Sequence, residues 1–258
     1  MNNKVTIFMP VSRKDHLDRI FAALELLDCD ATKTNLLVIV DGSAQLFIET
    51  RNKVEMSKFA NRLCVQFKTK HILRQFDIMG RRMRISDIHN LAKEHLVDCD
   101  FVFGVEDDTL IPTNALRQLL KDYSMHPFAG FIEGIEMGRW GIPYIGAWKV
   151  DDLYEPTKIE STQLKEGLHE IDAGGFYCFM TRLETYKNHD FKPFDNNGLG
   201  PDVDFGIALR QLGLLNYANY SIKCAHKKKT EDITFVNTTP MIVTFVKRET
   251  RWRQSNHV

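Results

Sequence analysis

The sequence lacks the features that mark a secreted or membrane-spanning protein. Its five cysteines are far apart, odd in number and without a Cys-x-x-Cys pair, which excludes a disulfide framework and a zinc ribbon. Its longest purely aliphatic run, residues 36–40, is far shorter than the ~20 residues that a membrane helix needs. The amino terminus shows no signal-peptide pattern. We therefore expect a cytoplasmic protein with reduced cysteines and no membrane insertion.

An excess of charge of either sign is also missing. The 258 residues include 34 Lys and Arg and 34 Asp and Glu, so no overall attraction to nucleic acid is expected. Basic residues collect near the end of the chain, at 227–229 and 247–253. With 43% hydrophobic residues and no repeat, residues 1–258 are predicted to form one domain. Residues 231–258 are interpreted as a basic extension, through which a nucleic-acid acceptor stays possible.

Apolar segments alternate with segments of helical periodicity in the first half of the chain. This strand–helix order is typical of a mainly parallel sheet that is covered on both faces, and it predicts an α/β domain. We expect residues 1–110 to form a nucleotide-binding half and residues 111–230 an acceptor-side, catalytic half. The predicted strands are 5–11, 36–40, 65–67, 101–105 and 176–180, with short strands near 215–225 and 233–246; the predicted helices are 15–28, 46–63, 85–97, 113–123 and one from 201 to Gly213.

Three neighbouring acids, Glu106, Asp107 and Asp108, follow the buried strand 101–105. Ligands of open α/β sheets bind at the carboxyl ends of the strands. Three adjacent negative charges are costly unless a cation lies among them, and hard oxygen ligands suit Mg²⁺ or Mn²⁺, which can also hold a diphosphate. The alternative is an acidic turn that caps the next helix, although residues 112–114 already supply a start signal for that helix.

Together with two earlier segments, this triplet carries a family resemblance. It is preceded by a first strand, Val-Thr-Ile-Phe-Met-Pro-Val-Ser-Arg, and a second, Leu-Val-Ile-Val-Asp-Gly-Ser. In this order the three segments resemble those of the GT-A glycosyltransferases, and they are most similar to the family-2-like members. The resemblance implies one Rossmann-like α/β domain that transfers a sugar, preferably from a UDP-sugar, to an acceptor hydroxyl. Glu106-Asp107-Asp108 then occupies the place of the Asp-x-Asp motif, with Asp108 and Glu106 as ligands of Mn²⁺ or Mg²⁺ and Asp107 turned away from them.

The resemblance also assigns the donor site. Asp41 matches the aspartate that contacts the nucleotide base, although an Asp-Gly turn without a ligand is the alternative. The basic segment 80–90 matches the stretch that opens a helix near the phosphates, or else it is a solvated turn. Asp172 could bond a sugar hydroxyl, and the aromatics Trp140, Tyr144 and Trp148 could stack on a ligand or pack in the core. The expected donor-binding residues are Pro10, Ser12, Arg13, Asp41, Arg81, Arg84, Glu106, Asp107, Gly174 and Gly175.

The catalytic residues are assigned in the same way. Asp202 matches the acid of the family's Glu-Asp motif and is the predicted general base; Asp204 is the alternative, because Pro201 stands where many relatives have an acid. His226 matches a histidine that completes the metal site. The resemblance favours inversion, without excluding retention, and an acceptor that is a glycan, a protein or a nucleic-acid base. A non-catalytic sugar-nucleotide-binding relative and a metal-dependent nucleotidyltransferase stay as alternatives.

Overall fold

A computed structural model describes most of the chain. The described residues are 3–68, 78–137, 144–151, 156–160, 166–193, 200–226, 231–236 and 239–244. At positions 78, 79, 137, 144, 226, 231–236 and 239–244 only the backbone is described.

Six helices and thirteen strands make up the described elements. The helices are α1 (Leu17–Glu25), α2 (Ala44–Met56), α3 (Ile78–His95), α4 (Ala115–Met125), α5 (Leu183–Asn188) and α6 (Pro201–Gln211), with a 3₁₀ turn at Ala31–Lys33. The strands are β1 (Val5–Val11), β2 (Thr34–Val40), β3 (Arg62–Gln66), β4 (Phe101–Val105), β5 (Thr109–Leu110), β6 (Ala129–Met137), β7 (Tyr144–Val150), β8 (Pro156–Glu160), β9 (Leu168–Ile171), β10 (Cys178–Arg182), β11 (Leu215–His226), β12 (Glu231–Val236) and β13 (Thr239–Thr244).

One sheet dominates the molecule, with the strand order β3-β2-β1-β4-β10-β6-β11-β5 and with β9 beside β11. Strands β3, β2, β1 and β4 pair in parallel, as do β6 and β11. Strand β10 runs antiparallel between β4 and β6. Two small hairpins, β7–β8 and β12–β13, lie outside this sheet. The architecture confirms the predicted α/β class.

Apolar side chains cover both faces of the sheet. On one face, α1, α2 and α4 pack against the strands through residues such as Leu24, Val54 and Leu119. On the other face, α3, α5 and α6 enclose an aromatic core that includes Tyr186 and Phe205. Because the central strands are buried on both faces, they read in the sequence as nearly continuous apolar runs.

Two predicted helix boundaries were wrong. Helix α2 ends at Met56 instead of residue 63, because Ser57 adopts an extended backbone, with ψ of 158°, and the chain then turns into β3. Helix α3 begins at Ile78 instead of residue 85. Arg and Met have high helix propensity, so this basic segment extends the helix without an apolar stripe. Arg81 and Arg84 consequently lie on a helix and not in a turn.

Several strand ends meet at one edge of the sheet. Ser12 follows β1, Asp41 follows β2, Glu106 follows β4, and β11 ends at His226 on the same edge, because β6 and β11 run in the direction of β4. The segment that leads into β10 begins at this edge as well. None of the described helices combines the length and the apolar character that crossing a bilayer requires.

Candidate active site

The strand ends and helix α3 enclose a cleft of about 300 Å³. All of the predicted donor-binding residues except Gly174 and Gly175 lie in its wall. The lining residues are Pro10, Val11, Ser12, Arg13, Asp41, Arg81, Arg82, Arg84, Ile85, Ile88, Glu106, Asp107 and Asp108. The cleft therefore brings the predicted base-binding, phosphate-binding and metal-binding residues together, although they come from four separate segments of the chain.

Asp107 anchors the loop that follows β1. Its Oδ2 atom accepts hydrogen bonds from the backbone N–H groups of Ser12, at 2.7 Å, and Arg13, at 2.9 Å. Burial raises the pKa of Asp107 to about 6, and the nearby positive charge of Arg13 opposes this effect. Asp107 thus binds another segment of the chain, and its hydrogen bonds hold residues 10–13 over the cleft.

Asp108 and Glu106 are the carboxylates that suit a divalent cation. The carboxylate of Asp108 is only 7% exposed and forms an ion pair with the guanidinium of Arg13. Within the described part of the chain, no group of three or more potential ligand side chains converges on one point. The backbone of His226 pairs with Thr109, directly after Asp108, but its side chain lies outside the described residues. Two oxygen ligands fit Mg²⁺ or Mn²⁺, which are typically held by one or two carboxylates together with substrate phosphates.

Asp41 faces the cleft beside Arg84. The distance from its Oδ2 to the Nε of Arg84 is 3.5 Å. Burial raises the pKa of Asp41, while the positive charge of Arg84 lowers it. The backbone N–H of Asp41 donates to Val11 O at 2.8 Å, and Ser43 caps α2 by accepting from the N–H of Leu46. Since Ser43 performs the capping, the carboxylate of Asp41 is directed into the cleft.

The two acids of α6 point in different directions. They are two residues apart, which separates them by about 200° around a helix. Asp204 lies against His189, with 3.5 Å between its Oδ2 and the Nε2 of that histidine. Asp202 Oδ1 lies 2.5 Å from the place that a Cβ on Gly200 would occupy, and the Nε of Arg82 lies 3.9 Å from the same place. Asp202 therefore lies towards Arg82, whereas Asp204 faces His189.

The segment around the two predicted sugar-site glycines is packed inside the protein. A Cβ on Gly174 would lie 2.1 Å from Glu133 Oε2, and a Cβ on Gly175 would lie 2.5 Å from the ring of Tyr177. These neighbours account for both glycines without a ligand. Asp172, expected to bond a sugar hydroxyl, instead accepts from the Val150 N–H at 2.7 Å and pairs with Arg210 at 2.5 Å.

The predicted aromatic platform is only partly described. Trp148 is half-buried and packs against Ala173, Val203 and Ile207, so it joins β7 to helix α6. Trp140 and the side chain of Tyr144 lie outside the described residues.

Sequence reasoning missed Glu133, a carboxyl without solvent exposure in the apolar strand β6. The sequence does contain an indication of it, because Glu133 is an acid inside the otherwise uncharged run Gly-Phe-Ile-Glu-Gly-Ile. A strand that is buried on both faces cannot expose a charged side chain to water.

No protein-family model matches the chain, and no curated protein matches its sequence. Solved structures do match it. The mannosyltransferase PcManGT from Pyrobaculum calidifontis, in complex with GDP-Man and Mn²⁺, aligns over 89% of this chain and 58% of its own, with a TM-score of 0.62 and 12% identity. GalNAc-T7 with UDP, GalNAc and Mn²⁺ aligns over 87% of this chain and 44% of its own, with a TM-score of 0.62 and 9% identity.

A third match is TarS 1–349 from S. aureus in complex with UDP-GlcNAc. It aligns over 87% of this chain and 59% of its own, with a TM-score of 0.57 and 13% identity. The chain thus spans about half of the length of these structures. The likeness confirms the predicted GT-A fold, the Rossmann-like scaffold of glycosyltransferases.

Proposed function

We propose that the protein is a metal-dependent glycosyltransferase of the hexosyltransferase class, which moves a sugar from a nucleotide-diphosphate sugar to an acceptor hydroxyl. A UDP-sugar is the favoured donor. The observation that carries the proposal is the cleft at the carboxyl edge of a GT-A sheet, where Asp41, Arg13 and the acids after β4 lie together. Structures of the same fold bind GDP-Man, UDP or UDP-GlcNAc, and two of them also hold Mn²⁺.

The charges of the cleft support a donor that arrives with a divalent cation. Four arginines and four carboxylates line it, so it is close to neutral as a whole. A nucleotide diphosphate would add negative charge to this neutral site, and a divalent cation would balance that charge. The guanidinium groups of the arginines on α3 are well suited to bind phosphate oxygens, because each can donate two parallel hydrogen bonds. Asp41, which lines the cleft beside Arg84, would accept a hydrogen bond from the nucleotide base.

Glu106, Asp108 and His226 are the proposed ligands of Mn²⁺ or Mg²⁺. When bound, such an ion neutralises charge on the departing diphosphate. Asp108 is almost fully buried at a strand end, and Glu106 precedes it by two residues, so both carboxylates approach from β4. The ion pair between Arg13 and Asp108 keeps the loop 10–13 beside these carboxylates.

Asp202 is the proposed general base. From the first turn of α6 it would accept the proton of the acceptor hydroxyl, while that oxygen attacks the anomeric carbon on the face opposite the diphosphate. This in-line displacement inverts the configuration of the sugar. Glycan, protein and nucleic-acid-base acceptors are all compatible with the proposal. A nucleic-acid acceptor would use the basic residues at 227–229 and 247–253, which lie outside the described residues. The cytoplasmic location stays a prediction.

The test is a thermal-shift screen of UDP-, GDP- and CDP-sugars with Mn²⁺, followed by an assay of nucleotide release. At a donor concentration 100 times Kd, binding contributes about 2.7 kcal/mol, which raises the melting temperature by about 5–10 °C in a protein of this size. EDTA should abolish the shift. Arg84→Gln should weaken it, whereas Arg51→Gln, an exposed arginine on α2, is the matched control.

The outcomes separate the candidate functions. A protein stabilised by none of the donors would contradict the proposal, and a shift of equal size in EDTA would contradict its metal component. Donor binding without hydrolysis of the donor, and without transfer of its sugar to any acceptor, would favour the non-catalytic relative.

A further inference from the structure

Glu133 is a buried carboxyl that the proposed mechanism does not use. It lies in the centre of β6, and its side chain has no exposed surface. Burying a carboxyl is costly unless hydrogen bonds compensate for the lost water. Oε2 accepts one hydrogen bond, from the backbone N–H of Gly175 at 2.8 Å, while Oε1 has no hydrogen-bond partner among the described residues. A group kept at this cost calls for an explanation.

The carboxyl supports one side of a tightly packed loop. On this side, a Cβ on Gly174 would lie 2.1 Å from Glu133 Oε2 and 2.4 Å from its carboxyl carbon. On the other side, a Cβ on Gly206 of α6 would lie 2.6 Å from the Cα of Ala173. The loop 172–175 therefore fills the space between β6 and α6 without room for one more atom. Gly206 lies one helical turn after Asp202, so the loop sets the position of that turn.

From this packing we propose that Glu133 is a positioning residue for the transfer step. Its carboxyl fixes the loop of Gly174 and Gly175 and, through that loop, the first turn of α6, so that Asp202 keeps its place at the cleft. The inference rests on the proposed function, because Asp202 is its base.

The charge state of Glu133 agrees with this role. Burial raises its pKa well above the ordinary value of a glutamic acid; the hydrogen bond from Gly175 opposes this rise, and the neighbouring Cys178, Asp202 and Glu136 add to it. This rise favours the protonated form of the side chain. A protonated carboxyl can lie near Asp202 without repelling the negative charge that a base must carry.

The first experiment separates positioning from donor binding. In Glu133→Ala the loop loses its support, so kcat should fall about 10-fold or more, as expected for a displaced base, while the donor Kd stays unchanged. Glu133→Gln keeps the shape and an acceptor oxygen for the Gly175 N–H. It should therefore keep the wild-type kcat, and the acid limb of the pH–rate profile should not move. Asp122→Asn, another buried carboxyl, bonded to Asn219 at 2.5 Å, is the control for a stability loss alone.

The second experiment needs no activity. Gly174→Ala should lower the melting temperature because the added methyl group meets the carboxyl, and Glu133→Ala in the same chain should restore part of it. A double variant that melts no higher than Gly174→Ala would overturn the proposed packing. Equal losses of kcat and donor affinity in Glu133→Ala, or a shifted acid limb in Glu133→Gln, would overturn the positioning role alone. Wild-type protein that neither binds nor transfers a nucleotide sugar would instead remove the proposed function, and the transfer role of Glu133 with it.

Discussion

The buried histidine of helix α3 predicts a specific loss of stability in acid. His89 is 2% exposed, stacks on the ring of Phe176 at 4.1 Å and contacts the Tyr186 hydroxyl through Nδ1 at 2.8 Å. Burial, and to a smaller extent the nearby His189, lower the pKa of His89 to about 3. An unfolded chain has its histidines near 6.5, so between pH 6.5 and 3 the unfolded state binds a proton that the folded state does not. Stability consequently falls as the pH falls through this window.

The magnitude follows from the same linkage. Between pH 7 and pH 5, protonation of this one histidine in the unfolded chain reduces the free energy of unfolding by about 2 kcal/mol. Urea unfolding at both pH values measures the change by linear extrapolation. His89→Phe should lose this part of the pH dependence, whereas Tyr186→Phe, which removes only the hydrogen bond, should keep it. Equal pH dependence in wild type and His89→Phe would refute the reasoning.

Two further predictions concern the base and the packing beneath the cleft. Asp202→Asn should lower kcat about 10²–10⁴-fold, measured by product chromatography, and should leave the donor Kd, measured by calorimetry, unchanged. Asp204→Asn should lower kcat far less, because the carboxylate of Asp204 is paired with His189. A larger loss of kcat in Asp204→Asn than in Asp202→Asn would reverse the two assignments. Gly104→Ala should cost about 1–3 kcal/mol in urea unfolding, because its Cβ would lie 2.0 Å from the Phe179 ring. A stability equal to wild type would show that the ring can move away at no cost.

The carboxylates of the cleft could be predicted from the sequence because they follow strands. Asp41 and the acids from Glu106 to Asp108 each come directly after a buried apolar run, and the carboxyl ends of parallel strands necessarily meet at one edge. The prediction that Asp107 points away from Asp108 assumed the alternation of side chains along a strand. Residues 107 and 108 instead lie in a turn, and the guanidinium of Arg13 lies near both carboxylates. The position of the acids at the sheet edge therefore needs only the order of the strands, whereas the directions of their side chains depend on the turn.

The region around β10, α3 and α6 depends on contacts that no local pattern encodes. Strand β10 enters the sheet antiparallel between β4 and β6, and only this insertion brings Gly174 beside Glu133. The long extension of α3 carries no apolar period, because its arginines line the cleft and do not pack in the core. The pairing of Asp204 with His189 joins residues from separate segments in the same way. Such contacts follow from the tertiary fold and not from spacing along the chain.

The glycines in and around α6 show how close packing constrains neighbouring residues. Gly174 and Gly206 have negative φ values, so their backbone conformation does not call for glycine. Glycine is required at each position because a Cβ atom would collide with a neighbouring residue. A substitution at either position therefore acts on a neighbour, and trimming that neighbour can relieve it. Gly213 is the opposite case, since it ends α6 with φ of 77° and open space around it. Replacing Gly213 with Ala strains the backbone itself, so no second substitution in a contacting side chain should restore the lost stability.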